Sequence, residues 1–156
     1  MKGEDVLQCA GEKLVPTTAS MSSVWDTNTA DKCIDGNEGG IYCATRPETA
    51  PWLALDFGSD VKVSSVVIIN RVDHSGERTK NMKIRVSSTL PVSGSTTFTG
   101  GQLLATFTGP GTNGERIEVT SETELTGRYV LVQMGSGGEH LNLNEVTAWS
   151  RGRKFG

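Results

Sequence analysis

Four residues within eight positions could do chemistry: Arg71, Asp73, His74 and Arg78. Two guanidinium groups supply fixed forks of N–H donors, and a carboxylate accepts from a hydroxyl or orients an arginine. Such a set suits a polar ligand. A plainer reading competes with it: Arg71 and Asp73 make a surface ion pair worth about 0–1 kcal/mol. A lone loop histidine such as His74 is ordinarily just solvated, and His140, in a glycine turn, is assigned nothing.

These residues need a frame. The stretch from Ser64 to Ser87 reads as strand, charged loop, strand. After Asn81 the alternation of Met82, Ile84 and Val86 with Lys83 and Arg85 has the period of a half-buried strand. Loops on a rigid sheet carry recognition. Further strands are expected at 51–57, 61–72, 102–107, 128–134 and 141–149, with Leu141, Leu143 and Val146 facing inward and Ile117 alternating with Val119. Trp52 is expected to cover one end of the core. Asn113-Gly114 is a hairpin signal. Residues 19–40, rich in Ser, Asp, Asn and Gly, read as loop anchored by Trp25 and Ile34, with room for one helical turn at 29–32. Residues 1–13 read as a lead-in, 14–150 as one domain and 151–156 as a basic tail. Short strands with regular turns and no amphipathic helix indicate an all-β sandwich or jelly roll.

Composition narrows the classes. The chain has 156 residues, enough for one domain with its own core. Its net charge of −3 and lack of a basic stripe argue against nucleic acid. No apolar run reaches the length of a membrane helix. The first residues lack the apolar core of a secretory signal, so the chain is either cytosolic or a mature or excised segment of something larger. There is no Ser-His-Asp spacing, no H-E-x-x-H and no phosphate loop, so a binding module is expected rather than an enzyme. Of Cys9, Cys33 and Cys43, at least one must be a free thiol. Cys33 and Cys43 are close enough to close a short loop, but the favoured expectation is that Cys33 is a small buried hydrophobe and all three are unpaired.

Three stretches carry a family resemblance: SSVWDTNTADKCIDGN, PWLALDFGSDVKVSSVVIINR and RYVLVQMGSGGEHLNLNEVTAW. Their order and spacing resemble the discoidin domain, the C-type domain of coagulation factors V and VIII, over roughly residues 14–149. The resemblance implies an eight-stranded antiparallel jelly-roll β-sandwich of the galactose-binding-like (discoidin) fold, with ligand loops at one end. Within it the chain looks most like the F-type, fucose-binding lectins. Arg71-Val72-Asp73, four residues, then Arg78 fits the second half of their motif. The motif's histidine does not fit: 27 positions before Arg71 stands Ala44. His74 and Ser75 stand where many of these lectins carry paired cysteines.

The resemblance implies ligand contact by Arg71, Asp73 and Arg78, with His74 taking part of the missing imidazole's work and Tyr42 or Trp25 as stacking faces. Losing one hydrogen bond of three at a buried site is worth about 1–3 kcal/mol, or roughly tenfold to a hundredfold in affinity. The loop also resembles galactose-binding modules of bacterial glycosidases, so the sugar need not be fucose. The family further implies a structural calcium held by the carboxylates of Asp35 and Glu145, with carbonyls from Lys32, Asn37 and Asn144. From spacing alone, Asp35-Gly36-Asn37 is only a turn. Three functions follow as expectations: a calcium-stabilised glycan-binding domain, a protein-interaction module that has lost sugar binding, and, last because the loops are polar, a phospholipid-binding domain. By family the setting is extracellular or cell-surface; an intracellular scaffold remains the alternative.

Overall fold

The computed structural model describes residues 11–91, 100–135 and 138–151. Cys9, most of the lead-in and all of the tail beyond Arg151 lie outside them, as does part of the glycine turn at 136–139. The described residues form eight antiparallel strands: β1 (Lys13–Leu14), β2 (Thr18–Met21), β3 (Cys43–Ala44), β4 (Trp52–Asn70), β5 (Met82–Ser87), β6 (Gln102–Phe107), β7 (Arg116–Met134) and β8 (Asn142–Trp149). The main path runs β1-β8-β4-β7-β5-β6, with β2 added to β4 and β3 to β8.

Two expected pairs of strands prove to be single bent ones. β4 runs through the expected turn at 58–60, and β7 joins the Ile117–Val119 segment to 128–134. The N-terminal half of β4 pairs with β2 and with the C-terminal half of β7, whereas its C-terminal half pairs with β8 and the start of β7. The register slips between Asp56 and Val61, where Gly58 takes φ +80°. A residue with a Cβ is strained in that left-handed region, so the glycine there lets the strand bend. Bending folds the sheet over itself. Leu53 and Leu55 from one half of β4 thereby share a core with Val66 and Ile68 from the other, together with Met82, Ile84, Val130, Val132, Leu141, Leu143 and Val146. The inward alternation expected for β5 and β8 holds.

Other expectations are corrected. Trp52 does not cap that core; it packs with Ala54, Leu131 and Tyr129 in a separate small cluster, because alternate residues of a strand face opposite sides. Asn113-Gly114 does turn the chain, but β6 and β7 do not pair, so no hairpin closes there; β6 pairs with β5. Residues 19–40 hold more structure than a loop. β2 is a regular strand, and Ala30–Cys33 forms a single 3-10 turn where one helical turn had room. Strand pairing reaches back to Lys13, which lies opposite Trp149.

The largest correction concerns the cysteines. Cys33 and Cys43 are disulfide-bonded, their Cα atoms 5.5 Å apart. The 3-10 turn and β3 both pack against β8, and that shared neighbour brings the two sulfurs together. Closing a loop of 10 residues removes chain entropy worth about 2–3 kcal/mol.

Candidate functional site

Strand β4 ends at Asn70, and the charged loop begins one residue later. Asn70 is fully buried and ties that loop down. Its amide donates to the carbonyls of Gly76 and Thr112, both at 2.9 Å, and its carbonyl accepts from the Thr79 hydroxyl at 2.7 Å. Asn113 accepts from the Gly76 N–H at 2.8 Å. At Gly76 a Cβ would lie 2.5 Å from the backbone of Thr112, so only glycine lets the two loops meet this closely. Gly76–Arg78 then forms a short 3-10 turn that aims Arg78 back at β8.

β8 supplies the other wall. Leu141 and Leu143 face the core, so Asn142 and Asn144 between and after them face the loop. Asn144 accepts from the Val72 N–H at 3.1 Å and donates to the Gly40 carbonyl at 2.8 Å. Asn142 is fully buried, and its carbonyl oxygen accepts from both arginines, Arg71 Nη1 and Arg78 Nη1, each at 3.3 Å. Its amide nitrogen has no hydrogen-bond partner among the described residues. Ala44 lies directly opposite Asn142 in the β3–β8 ladder. Opposed residues in a ladder face the same side, so the position where the lectin motif has histidine looks into this cluster.

All five expected ligand residues come together here. Arg71 is 6% exposed. Its Nε donates to Asp73 Oδ1 at 2.6 Å, and its Nη2 donates to Asp73 Oδ2 at 3.4 Å and to His74 Nε2 at 2.9 Å. The Tyr42 ring lies 3.7 Å from its guanidinium carbon, a cation–π contact worth about 2 kcal/mol when desolvated. Arginine only donates, so His74 Nε2 accepts and Nδ1 carries the proton that reaches Ser75 Oγ at 2.8 Å. The Arg71 guanidinium, first by its hydrogen bond and then by its charge, holds the Asp73 carboxyl below the usual carboxylate range against the opposing effect of burial. The plain ion pair is therefore real, but it sits inside a larger network. Four of the five N–H groups of Arg71 are engaged, which leaves at most one for a ligand. Arg78, half-buried and joined to Asn142, is the more open cation.

Asn142, which holds the two arginines together, was not singled out from the sequence. The signal was present: asparagines at alternate positions between leucines on a strand face that must be covered. Trp25 does not enter this cluster; it stands on the far side of β3.

The expected calcium ligands partly converge. Glu145 is buried, accepts from the Gly36 N–H at 3.0 Å through Oε2, and has no partner for Oε1 among the described residues. Burial, together with a hydrogen bond and charge from Asp35, pushes its carboxyl up to about 7, despite the Gly36 N–H. A buried carboxyl with one oxygen orphaned, beside the exposed carboxyl of Asp35, fits a cation. The remaining ligands would have to be backbone oxygens, since no group of three or more His, Cys, Asp or Glu side chains clusters among the described residues. The Asn144 side chain is committed at both ends, the Asn37 side chain accepts from Gly39, and Lys32 lies 4.0 Å from Asp31. If they serve, these three do so through carbonyls.

A family model described as the NedA-like, galactose-binding domain, of F5/F8 type C, matches residues 32–132. The chain belongs to this family. It is a galactose-binding-like, discoidin-type domain. Among curated proteins, the pentraxin fusion protein of Xenopus laevis is 31% identical over 126 residues, covering 78% of this chain and 29% of that protein. The chain thus spans under a third of that relative's length. Among solved structures, the F-lectin (fucolectin) from Morone saxatilis (striped bass) serum matches with a TM-score of 0.77 at 24% identity, over 88% of this chain and 47% of that one. A fucose binding module of Streptococcus pneumoniae matches with a TM-score of 0.73 at 21% identity, over 90% and 96%. At these identities the likeness to solved structures is one of fold.

Proposed function

We propose that this galactose-binding-like domain binds the terminal fucose- or galactose-type sugar of a glycan through the Arg71–Arg78 loop, without catalysing a reaction. The observation that carries the reading is the bridge at Asn142. One buried carbonyl oxygen gathers both guanidinium groups beside the Tyr42 ring. A sugar hydroxyl both donates and accepts, so a cluster of arginine donors with the Asp73 carboxylate as acceptor matches it. Tyr42 adds an apolar edge for the sugar's C–H face. Arg78 makes the principal grip, and Arg71, already held by four bonds, orders the cluster. The fish fucolectin and the pneumococcal fucose module, which share the fold, make a sugar the natural ligand class.

Calcium belongs to the same proposal. Asp35 and Glu145 would hold it with carbonyls from Lys32, Asn37 and Asn144, pinning the 35–40 loop to β8. Bound there, the ion would supply the positive charge that the buried Glu145 carboxyl lacks. The buried disulfide supports an oxidising, extracellular setting.

The test is a glycan array with Arg78→Ala and Arg71→Ala beside the unaltered domain. Loss of fucosylated or galactosylated signals in both variants supports the site; unchanged binding removes it. A second reading, a protein-interaction module, is favoured by two features: Ala44 stands in place of the histidine, and Arg71 spends most of its donors internally. A blank array from folded protein would select it.

A further inference from the structure

Strand β2 is an edge strand. Among the described residues it pairs with β4 alone, Thr18 opposite Asp56 and Met21 opposite Leu53. The Ser22 N–H continues that register by donating to the Trp52 carbonyl at 3.0 Å. Hydrogen-bonded pairs alternate along an antiparallel ladder. Thr18 and Ser20 therefore spend their backbone groups on β4, and Ala19 and Met21 point theirs outward. No backbone bond beyond that ladder engages Ala19 or Met21 among the described residues. The side chains of Ala19 and Met21 pack against the core, whereas Thr18 and Ser20 face solvent. Between this edge and the 3-10 turn at Ala30–Cys33 runs an apolar groove of about 520 Å³, whose lining includes Ala19, Met21, Val24, Ala30 and Ile34.

The edge lacks a common protection. Exposed edges are often blunted by charged side chains, which keep another strand from pairing. From Leu14 to Trp25 the sequence carries no charged residue. Val15, Val24 and Trp25, at the two ends of the edge, are 79%, 37% and 47% exposed and add apolar surface to it. Asp31, on the groove, has Lys32 4.0 Å away to balance it. The strand is also complementary to itself. A twofold axis through Ser20 sets Ala19 opposite the partner's Met21, and Met21 opposite the partner's Ala19. These are the residues whose backbone groups point outward, so each pair can exchange N–H and carbonyl bonds. The small Ala19 side chain leaves the groove open to the partner's Met21. Val15 at one end meets the partner's Trp25 at the other, and no like charges are opposed along the strand.

We infer that β2 is a homodimer interface: a second copy of this chain adds its own β2 antiparallel about Ser20, and each Met21 seats in the other's groove. The same patch serves both subunits, as a closed twofold dimer requires. The inference stands on this edge and not on the sugar reading. It has a consequence for that reading. Arg71, Arg78, Tyr42 and Asn142 all lie off the edge, so one dimer carries two such clusters. A surface bearing many glycans would then be held by both at once, which raises avidity without a new contact to the sugar.

Analytical ultracentrifugation of the unaltered domain beside Ser20→Lys tests the interface without any sugar. The unaltered domain should show a reversible monomer–dimer equilibrium with a Kd on the order of 10 μM, the weak end expected of so short an edge. Ser20→Lys sets two like charges face to face on the axis and should weaken dimerisation at least about tenfold, with unaltered melting as the check on folding. A domain still monomeric at about 1 mM, or a dimer that folded Ser20→Lys leaves intact, overturns the inference. Two cysteine variants test the register, both in a Cys9→Ser background. Ser20 meets the partner's Ser20 as a non-hydrogen-bonded pair with Cα atoms about 4.5 Å apart, within reach of a disulfide. Thr18 lies opposite the partner's Ser22 and so about 13 Å from the partner's Thr18. Ser20→Cys should therefore cross-link into a covalent dimer under mild oxidation, and Thr18→Cys should not. No cross-link from Ser20→Cys, or equal cross-linking of the two, overturns the pairing.

Discussion

At the scale of single residues, the division of labour between the two arginines is what the geometry adds. Arg71 is buried and bonded on nearly every nitrogen, whereas Arg78 reaches the same Asn142 oxygen from a more open position. Arg71→Ala should therefore cost stability as well as binding. It strips Asp73, His74, Asn142 and Tyr42 of a shared partner at once, and breaking a buried charged network costs about 3–5 kcal/mol. Arg78→Ala should cost binding with little change in melting. Thermal melts of both variants beside a sugar titration separate the two roles. Asn142→Leu keeps the volume but removes the bridge, and should weaken sugar binding at least about tenfold, the value of one charge-assisted hydrogen bond; retained affinity would show that the arginines are aligned by something else. Asp73 gives the pH dependence. Its carboxyl is held below its ordinary value of 3.8 by Arg71. Its contribution is thus complete above that value and lost as pH falls through the lower, folded-state one. Melting measured at intervals below pH 4 should fall more steeply for the unaltered protein than for Asp73→Asn, and parallel curves would contradict the coupling.

At the scale of elements, β8 and the disulfide loop decide whether the site exists. Asn142 and Asn144 hold the charged loop, Leu141 and Leu143 hold the core, and Glu145 begins the candidate cation site. One strand thus serves all three. Calcium would add a clamp between the 35–40 loop and this strand, so EDTA should lower the melting temperature of metal-replete protein and added calcium restore it. An unchanged melt would remove calcium from the account. Reducing Cys33–Cys43 should also destabilise the domain, and it should loosen Tyr42, the residue next to Cys43, so sugar affinity should fall in step with loss of the bridge. Much of this element scale was legible beforehand. The alternation in β5 and β8 and the Arg-x-Asp spacing gave the strands and the loop, because both rest on local periodicity. The disulfide, the bends in β4 and β7, and the bridging role of Asn142 were not legible, although the alternating asparagines of β8 marked a covered face. Each depends on which strands become neighbours, and nothing local in the sequence encodes that β3 and the 3-10 turn share β8. Trp52 was misplaced for a related reason: its type announced burial, but its face depended on the phase of the strand.

At the scale of the whole molecule, the bent sheet gathers at one place what the chain scatters from Trp25 to Glu145. Backbone bonds along the two edges of β3 join 25–28, 43–45 and 141–143, while asparagine side chains tie 71–79 to β8 and 112–113 to 70–76. The family membership accounts for this arrangement, and Ala44 and His74 mark where this chain departs from the lectin motif it resembles. The central claim is that the Arg71–Arg78 cluster remains a sugar site despite those departures. It is tested most directly by titrating the calcium-supplemented domain with fucose and galactose side by side with Arg78→Ala. The account predicts saturable binding of at least one sugar by the unaltered domain, and a loss of about tenfold or more in the variant. Saturable binding that Arg78→Ala leaves unchanged, or no binding of either sugar or of glycans ending in them by the folded domain, would contradict it.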